Sequence, residues 1–297
     1  MRKSVVLGIC VLVVVGTVGA QQKRIYNDGQ VDFAPQAARF VLTADEMEST
    51  LKEIEYTVNG GETMVYDEPI RLTDEGRHVI TYRAVDAMDN VSSEKVYTVV
   101  IDDTPPTLSG TARGAGFVDD DVAYLRGDTA IILSAADELS GVEGIYVSLD
   151  GDDFFRYQDV AYIDEEGEYT GYAYTVDNVG NRSRTFSIRG RVDNTPPSVR
   201  IVPRTPLTTV QGERYSGRGN RFEVRANDET SGIDEIHVSI DRQEFVTYAG
   251  PITFTDSGYH TIRARAVDRL GNMSDTVELG FYVDVVTPDP EIRALID

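Results

Sequence analysis

Cysteine and tryptophan are almost absent from this chain. Of its 297 residues Cys10 is the one cysteine, and tryptophan does not occur. Cys10 lies inside a short apolar run near the N-terminus, too early and wrongly flanked for a lipid-modified cysteine, and no thiol follows it. This excludes a disulfide framework, a thiol nucleophile and a cysteine-ligated metal from the rest of the chain.

Basic residues are also few. Lys and Arg number 28 against 50 Asp and Glu, which gives a formal net charge of −22 at pH 7. Nucleic acids and anionic membranes bind proteins through cationic neutralisation, so we expect no nucleic-acid partner. An excess of carboxylates can attract divalent cations or basic partners instead.

Histidine is scarce, and the familiar catalytic motifs are missing. His78, His237 and His260 are the three histidines, and no motif places a serine or a carboxylate beside them. The sequence contains no G-x-S-x-G, no H-E-x-x-H and no phosphate-binding loop. We therefore expect the histidines to be surface residues on strands, and we expect the protein not to be an enzyme.

The N-terminal segment differs from the rest of the chain. Arg2 and Lys3 precede an apolar run from Val5 to Val15, and the small residues GTVGA end at Ala20. This order is typical of a secretory signal, here cleaved before Gln21. The apolar segment is shorter than the ~20 residues that span a bilayer, and an uncleaved membrane anchor is the alternative.

The sequence thus predicts an exported protein that is periplasmic, outer-membrane-associated or extracellular. The last ten residues, PDPEIRALID, contain no apolar tail. We therefore expect no membrane-spanning segment in the mature chain, because a spanning helix needs a long apolar stretch.

One motif, V-D-x-x-[G/D]-N-x-S, occurs three times at equal spacing. Its aspartates are Asp86, Asp177 and Asp268, each 91 residues after the one before. A repeat of this length indicates tandem copies of one domain rather than a solenoid of short units. Within each copy, Asp and Asn can bond their own nearby backbone, and the Gly position permits positive φ, so the motif predicts a tight loop.

Proline pairs mark the places where the copies join. DDTPP at 102–106 and DNTPP at 193–197 close the first two copies, and DVVTPDP at 284–290 closes the third. Consecutive prolines make a stiff, extended joint. The predicted division is a signal peptide at 1–20, repeat 1 at 21–104, repeat 2 at 105–195, repeat 3 at 196–288 and a C-terminal tail at 289–297.

Within a copy the hydrophobic pattern is that of β-strands. In HTIRARAVD, residues 260–268, the apolar residues Ile262, Ala264 and Ala266 alternate with polar ones, as in a strand packed on one side. Asn-Gly at Asn59 and Asp-Gly at Asp150 are typical of hairpin turns. About six or seven short strands per copy predict an all-β fold of three tandem immunoglobulin-like antiparallel β-sandwich domains.

Three stretches of the second copy, ADELSGVEGIYVSLDG, GEYTGYAYTVDNVGNRS and VDNTPP, resemble a bacterial Ig-like repeat family of the D-x-x-G-N-x-S … D-x-T-P-P type. That family occurs in exported proteins and in spirochaete outer-membrane-associated proteins. The resemblance covers about residues 31 to 288 and implies architecture and location without a shared chemistry. Repeat 1 departs most: it has ADEMESTLKE for the first part of the first stretch, and Gln21 to Phe33 leave little sequence for its first strand.

Acidic loops recur at matching positions and form the candidate metal sites. The candidate ligands are Asp137 and Asp177 in repeat 2, and Asp228 and Asp268 in repeat 3. Calcium takes oxygen ligands from carboxylates in loops, so calcium is the one cofactor considered. We expect it where the Asp137 and Asp177 loops approach the preceding linker, where it would stiffen the joint. The alternative is that these carboxylates cap turns and add solubility.

Two further features are candidate binding sites. Arg126, Gly127 and Asp128 form the tripeptide that integrins recognise, and the same residues also suit a plain turn. Tyr172 and Tyr174 fall on the outward face of one strand, where they could stack on a sugar ring. Exposed tyrosines are also common in strands without any ligand.

These patterns together predict a non-enzymatic exported protein. It would act as a structural spacer or protein-interaction module in the cell envelope or at the cell surface. The expected partner is a protein or a glycan of that environment. The alternatives are an adhesin that binds host or matrix protein, and a carbohydrate-binding accessory protein.

Overall fold

The computed structural model describes residues 6–12, 22–45, 51–286 and 289–292, and every helix or strand among them is a β-strand. The strands before the first proline pair are β1 (Val6–Leu12), β2 (Tyr26–Asn27), β3 (Asp32–Ala34), β4 (Arg39–Asp45), β5 (Leu51–Val58), β6 (Met64–Val65), β7 (Gly76–Asp86) and β8 (Lys95–Ile101). Between the first two proline pairs are β9 (Thr107–Arg113), β10 (Gly116–Asp119), β11 (Val122–Leu125), β12 (Ala130–Ala136), β13 (Val142–Ser148), β14 (Phe155–Tyr157), β15 (Gly167–Asp177) and β16 (Phe186–Val192). After the second proline pair are β17 (Ser198–Pro203), β18 (Thr208–Val210), β19 (Glu213–Gly217), β20 (Arg221–Asn227), β21 (Ile233–Ile240), β22 (Val246–Thr247), β23 (Ile252–Thr253), β24 (Gly258–Asp268) and β25 (Val277–Asp284).

The chain forms two compact units, and each includes part of repeat 2. Unit 1 comprises Met1–Thr111, Ile131–Ala161 and Thr170–Ser187. Unit 2 comprises Ala112–Ala130, Tyr162–Tyr169 and Ile188–Asp297. The predicted all-β class with immunoglobulin-like β-sandwiches is confirmed, while the boundaries of the three repeats stay predictions. Within the described residues there is no helix of the length and apolarity needed to cross a membrane.

In unit 1, repeat 1 forms a large sheet that packs against a small layer. The large sheet has the strand order β2-β3-β8-β7-β5-β6, in which β3 and β8 are parallel and the other neighbours are antiparallel. In the small layer, β4 pairs with β1 on one edge and bridges to Ile70 on the other. The core between the layers contains the buried side chains of Ala34, Phe40, Leu42, Ile54, Ile80, Val99 and Ile101.

In unit 2, repeat 3 has the same two-layer arrangement. The large sheet has the order β18-β19-β25-β24-β21-β22, and the small sheet has the order β17-β20-β23. The alternation predicted for β24 is confirmed, because Ile262, Ala264 and Ala266 are fully buried. Phe222 and Phe281 pack in the same core. Burial of each such large side chain stabilises the fold by about 1.5–3 kcal/mol.

Repeat 2 contributes strands to both units. In unit 1, β13 pairs antiparallel with β14 and with residues 172–177 of β15. In unit 2, β10 and β11 form a hairpin, and β11 runs parallel to residues 189–192 of β16. Because β3 with β8 and β19 with β25 are also parallel pairs, the three copies share this element of topology.

Some residues with positive φ lie at predicted turns. Asn59 and Gly60 have φ of 53° and 70°, as a tight hairpin turn of type I′ requires. In the motif loops, Gly180 and Gly271 have φ of 90° and 84°, and repeat 1 has Asp89 at 63°. Asp is acceptable there because it enters the left-handed region more readily than most residues with a Cβ.

The expected surface position of the histidines is wrong for His78. Its side chain is buried, with Nδ1 3.1 Å from Asn59 Nδ2 and Nε2 2.7 Å from the Asp74 carbonyl oxygen. His78 shares the inward face of β7 with Ile80 and Tyr82. A buried imidazole needs hydrogen-bond partners, and polar groups of the neighbouring turns supply them to both ring nitrogens of His78.

Strand β1 lies inside the predicted signal peptide. It pairs antiparallel with β4, from Val6 opposite Asp45 to Leu12 opposite Arg39. Residues 1–5 and 13–21, and with them the predicted cleavage site, lie outside the described residues. The signal peptide therefore stays a prediction. The position beside β4 is occupied by residues that the predicted cleavage would remove.

Candidate functional site

Three carboxylates meet where the first linker reaches repeat 2, within unit 1. One carboxylate oxygen from each of Asp102, Asp137 and Asp177 lies within 4.8 Å of the other two. Asp102 and Asp177 are fully buried, and Asp137 is half-buried. We call these three residues the first triad. The sequence indicated that the Asp137 and Asp177 loops approach the linker, and the structure adds Asp102 from the linker itself.

Each carboxylate of the first triad caps the backbone that follows it. Asp177, the last residue of β15, accepts N–H bonds through Oδ1 from Val179 at 3.0 Å and from Asn181 at 2.7 Å. Asp137 Oδ1 accepts two backbone bonds in the same way, and Asp102 Oδ1 accepts one. This is the local turn chemistry that Asp offers to its own backbone.

Two further bonds tie the loops of repeat 2 to the linker. The Ser140 N–H donates to Asp102 Oδ2 at 3.0 Å, and Asn181 Nδ2 donates to the Asp102 carbonyl oxygen at 3.1 Å. Asn181 Nδ2 also donates to Asp177 Oδ2, so one amide connects the motif loop with the linker. We call the Ser140 and Asn181 bonds to Asp102 the joint lock.

The same arrangement occurs again in unit 2, 91 residues later. The second triad consists of Asp193, Asp228 and Asp268, and its carboxylate oxygens also lie within 4.8 Å of one another. The Ser231 N–H donates to Asp193 Oδ2 at 3.0 Å, and Asn272 Nδ2 donates to the Asp193 carbonyl oxygen at 3.1 Å. The joint therefore accounts for the motif in repeats 2 and 3, where its Asp caps the loop and its Asn bonds the preceding linker.

An acid and a threonine accompany each joint lock. The Thr104 hydroxyl donates a hydrogen bond to Glu75 Oε2 at 2.9 Å, and the Thr195 hydroxyl donates one to Glu166 Oε2 at 2.5 Å. In repeat 3 the position equivalent to these acids is Ser257, and the linker threonine is displaced by one residue. The acid and a threonine at the aligned linker position thus occur together at the first two linkers.

The first triad is electrostatically strained at neutral pH. Burial raises the pKa of Asp177 to about 6; the neighbouring carboxylates add to this rise, and hydrogen bonds from Asn181 oppose it. Burial also raises the pKa of Asp137. Carboxylates this close in a low-dielectric site do not all ionise readily. A shared proton or a bound cation would relieve the repulsion.

The chemistry of the triads fits a divalent cation in part. Their donor set is oxygen only, which calcium prefers, and calcium takes about six to eight oxygen ligands. Asp102 and Asp177 already accept protein N–H bonds through both carboxylate oxygens. A calcium ion would therefore have to displace some of these bonds or bring water ligands. Calcium at Asp137, Asp177, Asp228 and Asp268 stays a prediction.

Residues of an adjoining repeat also contact the motif loops of repeats 2 and 3, which sequence reasoning missed. In unit 1, Arg24 Nε donates to the Asn178 carbonyl oxygen at 2.9 Å. In unit 2, the Arg269 guanidinium stacks on Phe117 at 3.7 Å and pairs with Asp119 at 3.1 Å. Arg24 precedes its joint whereas Arg269 follows its own, so no fixed sequence spacing reveals both contacts.

Arg126, Gly127 and Asp128 lie in a turn beside the second linker, in unit 2. Arg126 and Asp128 pair with each other through two N–O contacts of 2.8 Å, and this pairing lowers the pKa of Asp128. The Gly127 N–H donates to Asn194 Oδ1 at 2.8 Å, and a Cβ at Gly127 would lie 2.8 Å from Asn194 Nδ2. The tripeptide therefore contributes to the joint, and its recognition by integrins stays a prediction.

Tyr174 belongs to an aromatic cluster in unit 1. Its ring centroid lies 5.1 Å from that of Tyr146 and 4.9 Å from that of Phe154, and the Arg182 guanidinium lies 3.7 Å from its centre. Tyr172, two residues earlier, packs against Gly151. Neighbouring side chains thus cover much of the ring face that a sugar would need. Glycan binding by Tyr172 and Tyr174 stays a prediction.

No protein-family model and no curated protein match this chain. Among solved structures, it is similar to the three N-terminal domains of the bacteriophage RB49 Highly Immunogenic Outer Capsid protein, with 11% identity, a TM-score of 0.36, and coverage of 96% of this chain and 99% of that chain. It is also similar to fibronectin(III)-like modules of Clostridium thermocellum CbhA, with 14% identity, a TM-score of 0.33, and coverage of 57% and 94%. Drosophila N-cadherin EC1-3 has 12% identity, a TM-score of 0.23, and coverage of 82% and 92%. Values this low carry no conclusion about function.

Proposed function

We propose that this chain is a non-enzymatic exported protein that serves as a structural spacer or protein-interaction module in the cell envelope or at the cell surface. The joint lock supports this proposal most directly, because the chain builds it twice with the same bonds. A catalytic site has to be built once, whereas a joint has to be built wherever two repeats meet. We also propose membership of the bacterial Ig-like repeat family that the motifs resemble.

The joint lock limits movement of a repeat against the linker that precedes it. Pro106 and Pro197, the second proline of each pair, are buried, and proline leaves little backbone freedom around them. Each hydrogen bond of the lock adds about 0.5–1.5 kcal/mol. The loops outside the joints remain available to a protein or glycan partner, since loops held on a rigid scaffold commonly carry recognition.

The two alternatives each depend on a feature that is already engaged within the chain. An adhesin for host or matrix protein would use Arg126 and Asp128, which pair with each other. A carbohydrate-binding accessory protein would use Tyr174, whose ring packs against Arg182 and two aromatic side chains. We therefore place the spacer first and treat matrix binding and glycan binding as outcomes that would replace it.

The joint lock makes a specific prediction about hydrogen exchange. We expect Asn181→Ala to speed exchange of the Ser140 amide about tenfold, because the linker loses one of its two bonds. Asn272→Ala should have the same effect on the Ser231 amide. Exchange measured by NMR or mass spectrometry on the full chain reads both amides directly.

Asn90→Ala is the matched control for these variants. Asn90 makes the same bonds within its own motif loop, to Asp86 Oδ1 and Oδ2, but no D-x-T-P-P linker precedes repeat 1 in the sequence. We expect Asn90→Ala to leave the Ser140 and Ser231 amides unchanged. Equal exchange in all three variants and the wild type would mean that the joints are not held by these bonds, and the spacer proposal would fail.

Export is tested separately by fractionation of the producing cells. We expect the chain in the periplasm, the envelope or the medium, with Gln21 as its first residue by intact mass. Integrity of a cytoplasmic marker in the same fractions controls for lysis. Recovery of the chain in the cytoplasm with residues 1–20 attached would contradict the proposed location.

A further inference from the structure

The small layer of repeat 1 contains a strand edge that export would uncover. In the 91-residue register, β4 corresponds to β12 and to β20. In repeats 2 and 3 this edge is covered by β9 and β17, the strands that follow the proline linkers. The same register places the equivalent strand of repeat 1 at residues 16–22, most of which fall inside the predicted signal peptide.

Strand β1 covers the edge in the structure, but it lies ten residues too early in the chain. Ser198 of β17 lies opposite Asn227, so the register would place residue 16 opposite Asp45. Val6 lies there instead. Cleavage before Gln21 would remove β1 from its position beside β4, and it would also remove residues 16–20 from the chain.

The residues just after the cleavage site cannot replace the lost strand, because they are held elsewhere. Arg24 bonds the Asn178 and Val179 carbonyl oxygens of repeat 2 through its side chain and backbone. Tyr26–Asn27 is strand β2, which pairs with β3 in the large sheet. Among the described residues, no strand other than β1 pairs with this edge of β4, so cleavage would remove its strand partner.

The backbone groups that point to this edge can be identified from the opposite side of β4. Both the N–H and the C=O of Phe40 bond Ile70, so they point away from the edge. Backbone groups alternate in direction along a strand, so those of Arg39, Val41, Thr43 and Asp45 point toward β1. An uncovered edge of this kind is a template for another strand.

We propose that, after signal cleavage, β4 pairs with β4 of a second copy of this chain, antiparallel about a two-fold axis at Leu42. This register overlaps the whole strand and places Val41 opposite Thr43 of the other copy. The edge-directed groups of one copy then meet those of the other, which a shift by one residue would prevent. The interface uses the same patch on both copies and closes as a dimer.

Charge supports the same register. It places Arg39 of each copy opposite Asp45 of the other, and opposite charges across a strand pair are stabilising. Registers shifted by two residues lose this pairing and shorten the overlap. The proposal depends on the predicted cleavage before Gln21, which the intact mass of the exported chain establishes independently of oligomeric state.

The first test is the oligomeric state of the exported chain by analytical ultracentrifugation. We expect a dimer, an increase of about tenfold in its dissociation constant for Arg39→Asp, and recovery for Arg39→Asp combined with Asp45→Arg. Arg71→Asp makes the same charge change at an exposed position outside β4 and should leave the dimer intact. Melting curves control for folding, because Arg39 also bonds the carbonyl oxygens of residues 36–38.

The second test reads the register directly and uses the absence of cysteine after residue 10. Directly opposed residues of a hydrogen-bonded pair have Cα atoms about 5.5 Å apart, within the range a disulfide spans. A mixture of Val41→Cys and Thr43→Cys chains should therefore form a mixed disulfide on oxidation. Either variant alone should not, because its cysteines would lie on a diagonal about 7–8 Å apart.

Three results would overturn the proposal. A cleaved chain that stays monomeric at high concentration would show that the edge does not self-associate, and it would leave the proposed function intact. A dimer whose dissociation constant does not change in Arg39→Asp, and which does not form the mixed disulfide, would show that the interface lies elsewhere. A chain that retains residues 1–20 after export would remove the uncovered edge and would also contradict the proposed processing.

Discussion

Asp177→Asn is expected to become more stable relative to the wild type as the pH rises. In calcium-free buffer, the unfolding free energy of the variant minus that of the wild type should increase by about 2 kcal/mol between pH 4 and pH 7. The pKa of Asp177 is raised to about 6 in the folded chain, against an ordinary value of about 3.9 for an unfolded Asp. Between these values the folded state holds a proton that the unfolded state has released, so protonation favours folding. That stability is present at low pH and is lost as the pH rises through the folded pKa.

The variant isolates this effect because asparagine stays neutral at every pH. The substituted side chain would keep an oxygen to accept the Val179 and Asn181 N–H bonds that Asp177 Oδ1 now accepts. Calorimetry of variant and wild type at a series of pH values gives the difference directly. Other carboxylates also titrate over this range, and those without an interaction with Asp177 are common to both chains and cancel in the comparison. Asp102 and Asp137 interact with Asp177, so their response is part of the measured effect of the first triad.

Asp86→Asn is the matched control for Asp177→Asn. Asp86 caps its own motif loop through the same backbone bonds, to Met88 and Asn90, and no proline linker precedes it in the sequence. The variant changes a loop cap without changing a triad, because neither carboxylate triad of the described residues includes Asp86. A pH dependence equal to that of Asp177→Asn would show that the first triad is not the source.

Calcium is the second way to neutralise the first triad, and the same experiment tests it. If a triad binds calcium, millimolar calcium at pH 7 raises the melting temperature of the wild type, since a ligand that binds only the folded state stabilises it. The rise should shrink in Asp177→Asn, which removes one charged ligand. An unchanged melting temperature in calcium and in chelator would leave the triads as hydrogen-bonded caps alone.

Phe222→Ala is expected to destabilise unit 2 by about 3–5 kcal/mol. Phe222 is 1% exposed, stacks on Phe281 with ring centroids 4.4 Å apart, and meets Phe254 edge-on at 5.9 Å. Truncation to alanine removes these contacts and leaves a cavity that the two remaining rings fill only in part. Differential scanning calorimetry should show the transition that contains unit 2 at a lower temperature.

Val246→Ala and Phe222→Leu are the controls for Phe222→Ala. Val246 is 59% exposed, so its truncation should change stability by less than about 0.5 kcal/mol. Phe222→Leu keeps most of the buried volume and should cost less than Phe222→Ala. Equal effects of Phe222→Ala and Val246→Ala would mean that the aromatic cluster is not the core of this layer.

Strand positions could be predicted from the sequence because their cause is local. Ile262, Ala264 and Ala266 are buried as the alternation indicated, and Asn59 and Gly60 adopt the positive φ that their turn needs. His78 was misplaced because alternation shows which residues share a face but does not say that a polar member of the set will find partners. The Asn59 amide and the Asp74 carbonyl, which accommodate the ring, come from neighbouring turns.

The candidate site was predictable in part. Equal spacing identified Asp137, Asp177, Asp228 and Asp268 as equivalent loop residues, and the proline pairs marked the linkers. Asp102 and Asp193 as members of the triads, and the lock through Asn181 and Asn272, depend on where each linker runs after the chain leaves one sheet and enters the next.

Composition and the period-two pattern determined the fold class and the motif loops, because these follow from the immediate neighbours of a residue along the chain. The 91-residue period identified the repeated stretches, because it compares the sequence with itself. Only the tertiary structure decided which carboxylates meet, that Arg126 and Asp128 bond each other, and that β4 has an edge covered by β1. These contacts join residues that the chain separates by tens of positions, or depend on a geometry that local pattern leaves open. Their free energies come from burial and close approach, which sequence spacing does not record.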